Sequence, residues 1–210
     1  MPDAPTVLLT GFEPFGGSDD NPSLRAVERV AAEDFGGIDL RTGILPVTWA
    51  GAWPVLASLI EAHQPDLVVA CGQSHRRKGV TVERFALNFA EGRIPDNDGA
   101  ELPASELVEG GPLAYASTLP VDVCVAAIQQ LGVPAQGSHT AGAFTCNCVL
   151  YRTLHLASTE DRPLRAGFVH LPMLPGQLGD PEQPRLELEA SARAVRAVLE
   201  ASLAAYSATM

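Results

Sequence analysis

The chain has 210 residues, 46% of them hydrophobic, a formal net charge of -11 and a single lysine, Lys78. That length suits one α/β domain over residues 1–210 with a core of its own, and the acidic balance argues against a nucleic-acid partner. No apolar run reaches the ~20 residues that span a membrane, and no basic segment followed by a long apolar stretch marks a secretory leader. Cys71, Cys124, Cys146 and Cys148 read as free thiols and not as a disulfide framework, which points to the reducing cytoplasm.

"TVLLTG" (6–11) is a short apolar run closed by glycine and predicts a buried strand. After the loop "FEPFGGSDDNPS", Asn21 and Pro22 form a cap and first-turn pair that opens a helix through Val30. "DLRTGILPV" predicts a second strand, followed by a helix to about His63. "DLVVACG" (66–72) predicts a third strand, apolar along its length as a strand covered on both faces should be. "VTVERFALNF" alternates weakly, as a strand would, and "AEGRIPDNDGAELP" is a polar loop. "PVDVCVAAIQQLGVP" predicts a helix stopped at Gly132, and "PAQGSH" a short strand. A helix over 143–157, the strand "RAGFVHLP" and a long helix from about Pro184 to Tyr206 complete the chain. Strands alternating with helices imply βαβ units: a three-layer α/β/α sandwich with a twisted, largely parallel but mixed sheet. Ligands in such sheets sit beyond the carboxyl ends of the strands. That marks Gly11–Gly17, Gly72–Ser74, Ser138–Cys146 and His170 before any chemistry is considered.

Two cysteines stand one residue apart in "SHTAGAFTCNCVLY". On a helix they lie roughly 200° apart, so they neither bridge each other nor share a metal. Cys146 starts the stripe Cys146, Val149, Leu150, Thr153, Leu154, spaced to face the sheet. Cys148 shares the more polar side with Tyr151, Arg152 and His155. In the first turn, Cys146 would meet the positive end of the helix dipole and unpaired N–H groups, which favour thiolate and could hold an oxyanion. The same pattern is met by a packing cysteine. A thiolate needs a base, and among the five histidines His170 and His139 both stand at strand ends. An orienting carboxylate could come from Glu83, Glu91, Asp96 or Asp98; Glu83 stands in an apolar context that would force it into a pair. The cluster "HRRK" (75–78) reads as a solvated loop before it reads as part of the mouth of a site or a subunit contact.

Read in order, "LLTGFEPFGGSDDNPS", "GQS", "VERFALN", "RIPDNDG", "GGPLAYASTLP", "SHTAGAFTCN" and "GFVHLP" resemble pyroglutamyl peptidase type I over about residues 7–172. The resemblance implies a cytosolic cysteine peptidase, often tetrameric, that removes N-terminal pyroglutamate with no metal or other cofactor. By motif it implies a triad of Glu83, Cys146 and His170, with Arg93 at the oxyanion beside the Cys146 backbone N–H. Phe12, Phe15, Gln73, Ile94, Phe144 and Thr145 would line the pyrrolidone pocket. The partners implied are a pyroglutamyl peptide and further copies of the chain, with no nucleic acid or membrane. The sequence departs from the pattern at the basic cluster His75–Lys78, at Val47 and at Phe85. Two other readings remain: a protein that binds capped peptides without turnover, and a nucleoside-phosphorylase-like enzyme. The glycine-rich "GFEPFGG" suits the latter, though it carries no basic side chain for a phosphate.

Overall fold

The computed structural model of the chain describes residues 4–160, 163–180 and 182–207. In chain order the elements are β1 (Thr6–Phe12), α1 (Pro22–Ala31), β2 (Asp39–Leu45), α2 (Ala52–His63), β3 (Leu67–Gln73), β4 (Val80–Glu83) and β5 (Phe85–Leu87). There follow β6 (Ala114–Ala116), α3 (Val121–Gln130), β7 (Ala135–Ser138), α4 (Thr145–Thr159), β8 (Arg165–Leu171) and α5 (Leu188–Ser207). A six-stranded sheet has the order β2-β1-β3-β8-β4-β7, and β5 and β6 form a separate antiparallel ribbon. β2, β1, β3 and β8 are parallel; β4 runs antiparallel to β8, and β7 parallel to β4. The sheet is thus mixed and largely parallel, with helices on both faces.

Side-chain alternation along each strand feeds two separate cores. Val7, Leu9, Val69, Cys71, Val82, Val169 and Leu171 pack beneath α1, α3 and α5. Leu8, Phe12, Val68, Ala70, Ala166 and Phe168 pack beneath α2 and α4. The start of α1 follows from local chemistry. The Asn21 side chain accepts from the Ser23 N–H at 2.9 Å, and Pro22 needs no donor in the first turn. Ser23 Oγ in turn accepts from the Phe12 N–H at 2.9 Å, tying the end of β1 to the helix. Gly11 has to be glycine for this approach, because a Cβ there would stand 2.6 Å from the Ser23 carbonyl oxygen. Gly132, at φ 75°, ends α3 where the sequence reading stops it.

Three features differ from the sequence reading. "VTVERFALNF" is not one strand: its first half joins the sheet as β4 and its second half leaves it as β5, the break falling at Arg84. α5 starts at Leu188 and not near Pro184, because the preceding residues are held extended: Met173 and Arg185 form an isolated bridge, and the Leu186 N–H donates to the Met173 carbonyl at 2.8 Å. The side of α4 expected to be polar is covered. Tyr151 is buried with its hydroxyl on the Pro112 carbonyl at 2.7 Å, and Cys148 lies in the core under the same cover.

Candidate active site

His170 is the sixth residue of β8 and, by alternation with Phe168, points to the α2/α4 side of the sheet. Its neighbours in the ladders are Gly72 on β3 and Thr81 on β4. Cys146 reaches the same place from above, in the first turn of α4. A Cβ on residue 72 would stand 2.9 Å from Cys146 Sγ, so the missing side chain of Gly72 is the space the thiol occupies, directly beside His170. On the other side of the imidazole, Nδ1 lies 2.9 Å from Glu83 Oε1. Glu83 is wholly buried, and the Thr81 hydroxyl donates to the same oxygen at 3.0 Å. The antiparallel course of β4 makes this possible: with Thr81 beside His170, Glu83 falls one pleat deeper and meets the imidazole from below. Burial works against the charged imidazole, but the neighbouring Cys146 and Glu83 outweigh it and hold His170 up at about 9.

The backbone above the thiol is open. Phe144 precedes α4 in an extended conformation and offers no side-chain cap, and the next backbone bond is the Cys148 N–H to the Phe144 carbonyl. The N–H groups of Thr145, Cys146 and Asn147 therefore have no partner among the described residues and sit at the positive end of a helix of 15 residues. The Asn147 side chain fixes this turn from the outside, accepting from the Leu87 N–H and donating to the Leu87 and Phe89 carbonyls.

An aromatic group stands next to this turn. Phe144 is 5.3 Å from Phe15 and meets Trp49 edge-on at 4.7 Å between ring centres. Phe12 lies deeper, 2% exposed, against Phe168 at 6.4 Å. The "RIPDND" loop is docked onto the "GFEPFGG" loop: the Asn97 amide donates to Glu13 Oε1 at 2.7 Å and to the Pro14 carbonyl at 3.0 Å. Asp96 is spent on the loop itself, accepting the N–H groups of Trp49, Asp98 and Ala100. Its burial is outweighed by those bonds, which hold its carboxyl below the ordinary range.

A thiol, an imidazole and a buried carboxylate thus share one end of the sheet, beside an aromatic group. The profile of the family described as pyroglutamyl peptidase matches residues 5–205. The chain belongs to the pyroglutamyl peptidase family, a family of cysteine peptidases. It is 46% identical to a pyrrolidone-carboxylate peptidase of Streptomyces coelicolor, over 93% of this chain and 91% of the relative. Among solved structures, the pyrrolidone carboxyl peptidase from Thermococcus litoralis superposes with a TM-score of 0.93 at 34% identity, covering 98% of this chain and 96% of that one. The pyroglutamyl peptidase I of Bacillus amyloliquefaciens gives 0.91 at 36% identity, covering 95% and 97%.

Within this pyroglutamyl peptidase fold, the residues named from sequence separate into groups. Glu83, Cys146 and His170 converge, as do Phe15, Phe144 and Thr145 around the first turn of α4. Gln73 follows Gly72 on β3, its amide oxygen 3.3 Å from Gln177 Nε2. Arg93 and Ile94 are exposed on the loop, and no hydrogen bond or ion pair among the described residues holds Arg93. His139 is exposed and stacks on Phe85, whereas His170 is the histidine beside Cys146. Phe85 faces outward, and Val47 is a core residue whose N–H donates to Glu13. Sequence reasoning gave no role to Gly72, although it marked the Gly72–Ser74 strand end, and it missed Thr81 and Trp49. Gly72 and Thr81 are uninformative singly and acquire meaning only through the ladders beside His170.

Proposed function

We propose that this enzyme hydrolyses the amide bond that follows an N-terminal pyroglutamyl residue, with Cys146 as nucleophile, His170 as acid and base, and Glu83 orienting His170. The observation that carries the reading is the thiol seated on Gly72 beside an imidazole whose far nitrogen is 2.9 Å from a buried carboxylate. The Cys146 thiolate adds to the pyroglutamyl carbonyl, forming the C–S bond and a tetrahedral oxyanion. The free N–H groups at the start of α4, with Arg93 swung in from its exposed loop, stabilise that oxyanion. The C–N bond then breaks as the His170 imidazolium gives its proton to the departing amine. Water, losing a proton to His170, attacks the thioester; the C–S bond breaks and pyroglutamate leaves.

Phe12, Phe15 and Phe144 supply apolar surface for the lactam ring, with Ile94 and Thr145 at its edge and Gln73 toward its polar atoms. A free N-terminal ammonium in such a slot would lose its hydration, a cost on the order of several kcal/mol, which excludes ordinary peptides. The outer face of the ribbon, with Phe85, Leu87, Ala114 and Ala116 exposed, supports assembly with further copies of the chain in the cytoplasm. No helix among the described residues is long and apolar enough to cross a membrane.

The test is release of a chromogenic amine from a pyroglutamyl amide and from the matching prolyl amide, under reducing conditions. Release from the first alone is expected. Absence of release from the first with an alkylatable Cys146 would overturn the proposal, and binding without turnover would select the non-catalytic reading.

A further inference from the structure

The basic cluster 75–78 does not behave as one solvated loop. His75, Arg76 and Lys78 are exposed, but Arg77 turns inward. Its Nη2 donates to Ser138 Oγ at 2.8 Å and to the Thr140 carbonyl at 2.8 Å, and stands 3.4 Å from Glu83 Oε1. Only a quarter of the side chain is exposed, while Glu83 is not exposed at all. One guanidinium thus touches the carboxylate that faces His170 and the segment that connects β7 to the cysteine turn.

Glu83 needs such a neighbour. Its Oε1 receives His170, Thr81 and Arg77, whereas Oε2 is buried and accepts nothing from the described residues. A buried carboxylate with one bare oxygen is costly as an anion, and the guanidinium offsets that cost while holding the oxygen that faces His170. Among the described residues, no cationic side chain other than Arg77 and His170 contacts Glu83. β4 contributes the neutral Thr81, and Arg84, just after the strand, is paired outward with Asp122. β7 contributes Ser138, β8 contributes His170, and α4 contributes Cys146 with no acidic residue in its first turn. His139 and Glu91 on the flanking loops are exposed.

We infer that Arg77 is a positioning residue of the reaction, which balances the charge of Glu83, holds its Oε1 toward His170 and fastens the 138–140 segment that leads to Cys146. The inference rests on the Cys146–His170–Glu83 reading above. Its consequence has a sign. With the guanidinium gone, the site becomes more negative, so the Cys146 thiolate costs more and the His170 imidazolium costs less. Both limbs of the activity profile then move to higher pH. A merely structural Arg77 would lower activity alike at every pH.

The experiment follows kcat/KM on a pyroglutamyl amide, and the rate of Cys146 alkylation by iodoacetamide, across pH for wild type, Arg77→Gln, Arg77→Lys and Glu83→Gln. The other three cysteines are buried, so alkylation reads Cys146. Arg77→Gln is expected to displace the alkylation profile upward by about half a pH unit or more. Arg77→Lys keeps the charge and should stay near wild type, and Glu83→Gln should move the alkaline limb the other way. Unmoved limbs in Arg77→Gln, or Arg77→Lys shifting as far as Arg77→Gln, would overturn the inference. A wild type that never turns over the amide would sink the proposed peptidase reaction instead, and the alkylation profile would still decide the role of Arg77.

Discussion

The two faces of the sheet are made by the same strands and differ in everything but backbone. Toward α1, α3 and α5, β3 and β8 present Cys71, Val169 and Leu171, and the space is filled. Toward α2 and α4, the residues next along the chain are Gly72, Phe168 and His170, and at the carboxyl end a small residue leaves room for a thiol. Cys71 and Cys146 lie at nearly the same level on opposite sides. Burial pushes the Cys71 thiol far up and keeps it protonated, whereas Cys146 is half-buried against an imidazole. The difference comes from the helix: α4 delivers its N-terminal turn to the sheet end, where free N–H groups and a gap coincide. A cysteine is made reactive by what it is packed against, and a second thiol in an apolar layer stays inert.

Removing the thiol breaks this contrast most severely. Cys146→Ser should lower kcat on a pyroglutamyl amide by about 10³-fold or more, while Cys71→Ser and Cys148→Ser should stay within about threefold, after allowance for any loss of folded protein measured by circular dichroism. Cys148 sharpens the point, because burial pushes its thiol up although Arg152 pulls it down. Filling the gap is the next largest change. Gly72→Ala would put a Cβ 2.9 Å from Cys146 Sγ and 2.8 Å from the Phe168 ring, and the displaced thiol should cost about 100-fold in kcat/KM.

The pH dependence tests the same face. His170, held at about 9, keeps its proton through neutrality, so kcat/KM should fall as pH rises through about 9. Its folded value lies above the unfolded one, so its contribution to stability is full below about pH 6.5 and is lost as pH rises through about 9; urea titrations across that window would read it. The smallest expected effect on chemistry belongs to the filled face. Leu199→Ala, on the buried face of α5, should cost about 2–5 kcal/mol of unfolding free energy with kcat within about twofold.

How much of this was written in the sequence depended on range. Asn21-Pro22, Gly132 and the apolar runs of β1, β3 and β8 act through neighbours within a few residues, and each element stands where its pattern puts it. Cys146 at a helix start and His170 at a strand end were legible for the same reason, and the ordered motifs decided between His170 and His139. The direction of β4 was not legible, since nothing in "VTVE" says which way it pairs. The three residues of β6 carry no pattern of their own. The polar side of α4 became interior only because Pro112 and the ribbon, some forty residues away in the chain, fold over Tyr151. Arg77 was misread for the same reason: its partners, Ser138 and Thr140, are about sixty residues distant.

The reversed strand that brings Glu83 beneath His170 is also the shortest join in the sheet. β3 and β8 are matched over seven residue pairs, β4 and β8 over only two, Thr81 with His170 and Val82 with Val169. The carboxylate and its imidazole are therefore held in line across a seam that can part while the central strands stay closed. Warming should make the backbone amides of β4 exchange with deuterium well before those of β1 and β3. Loss of turnover should follow the opening of that seam, ahead of the melting of the molecule.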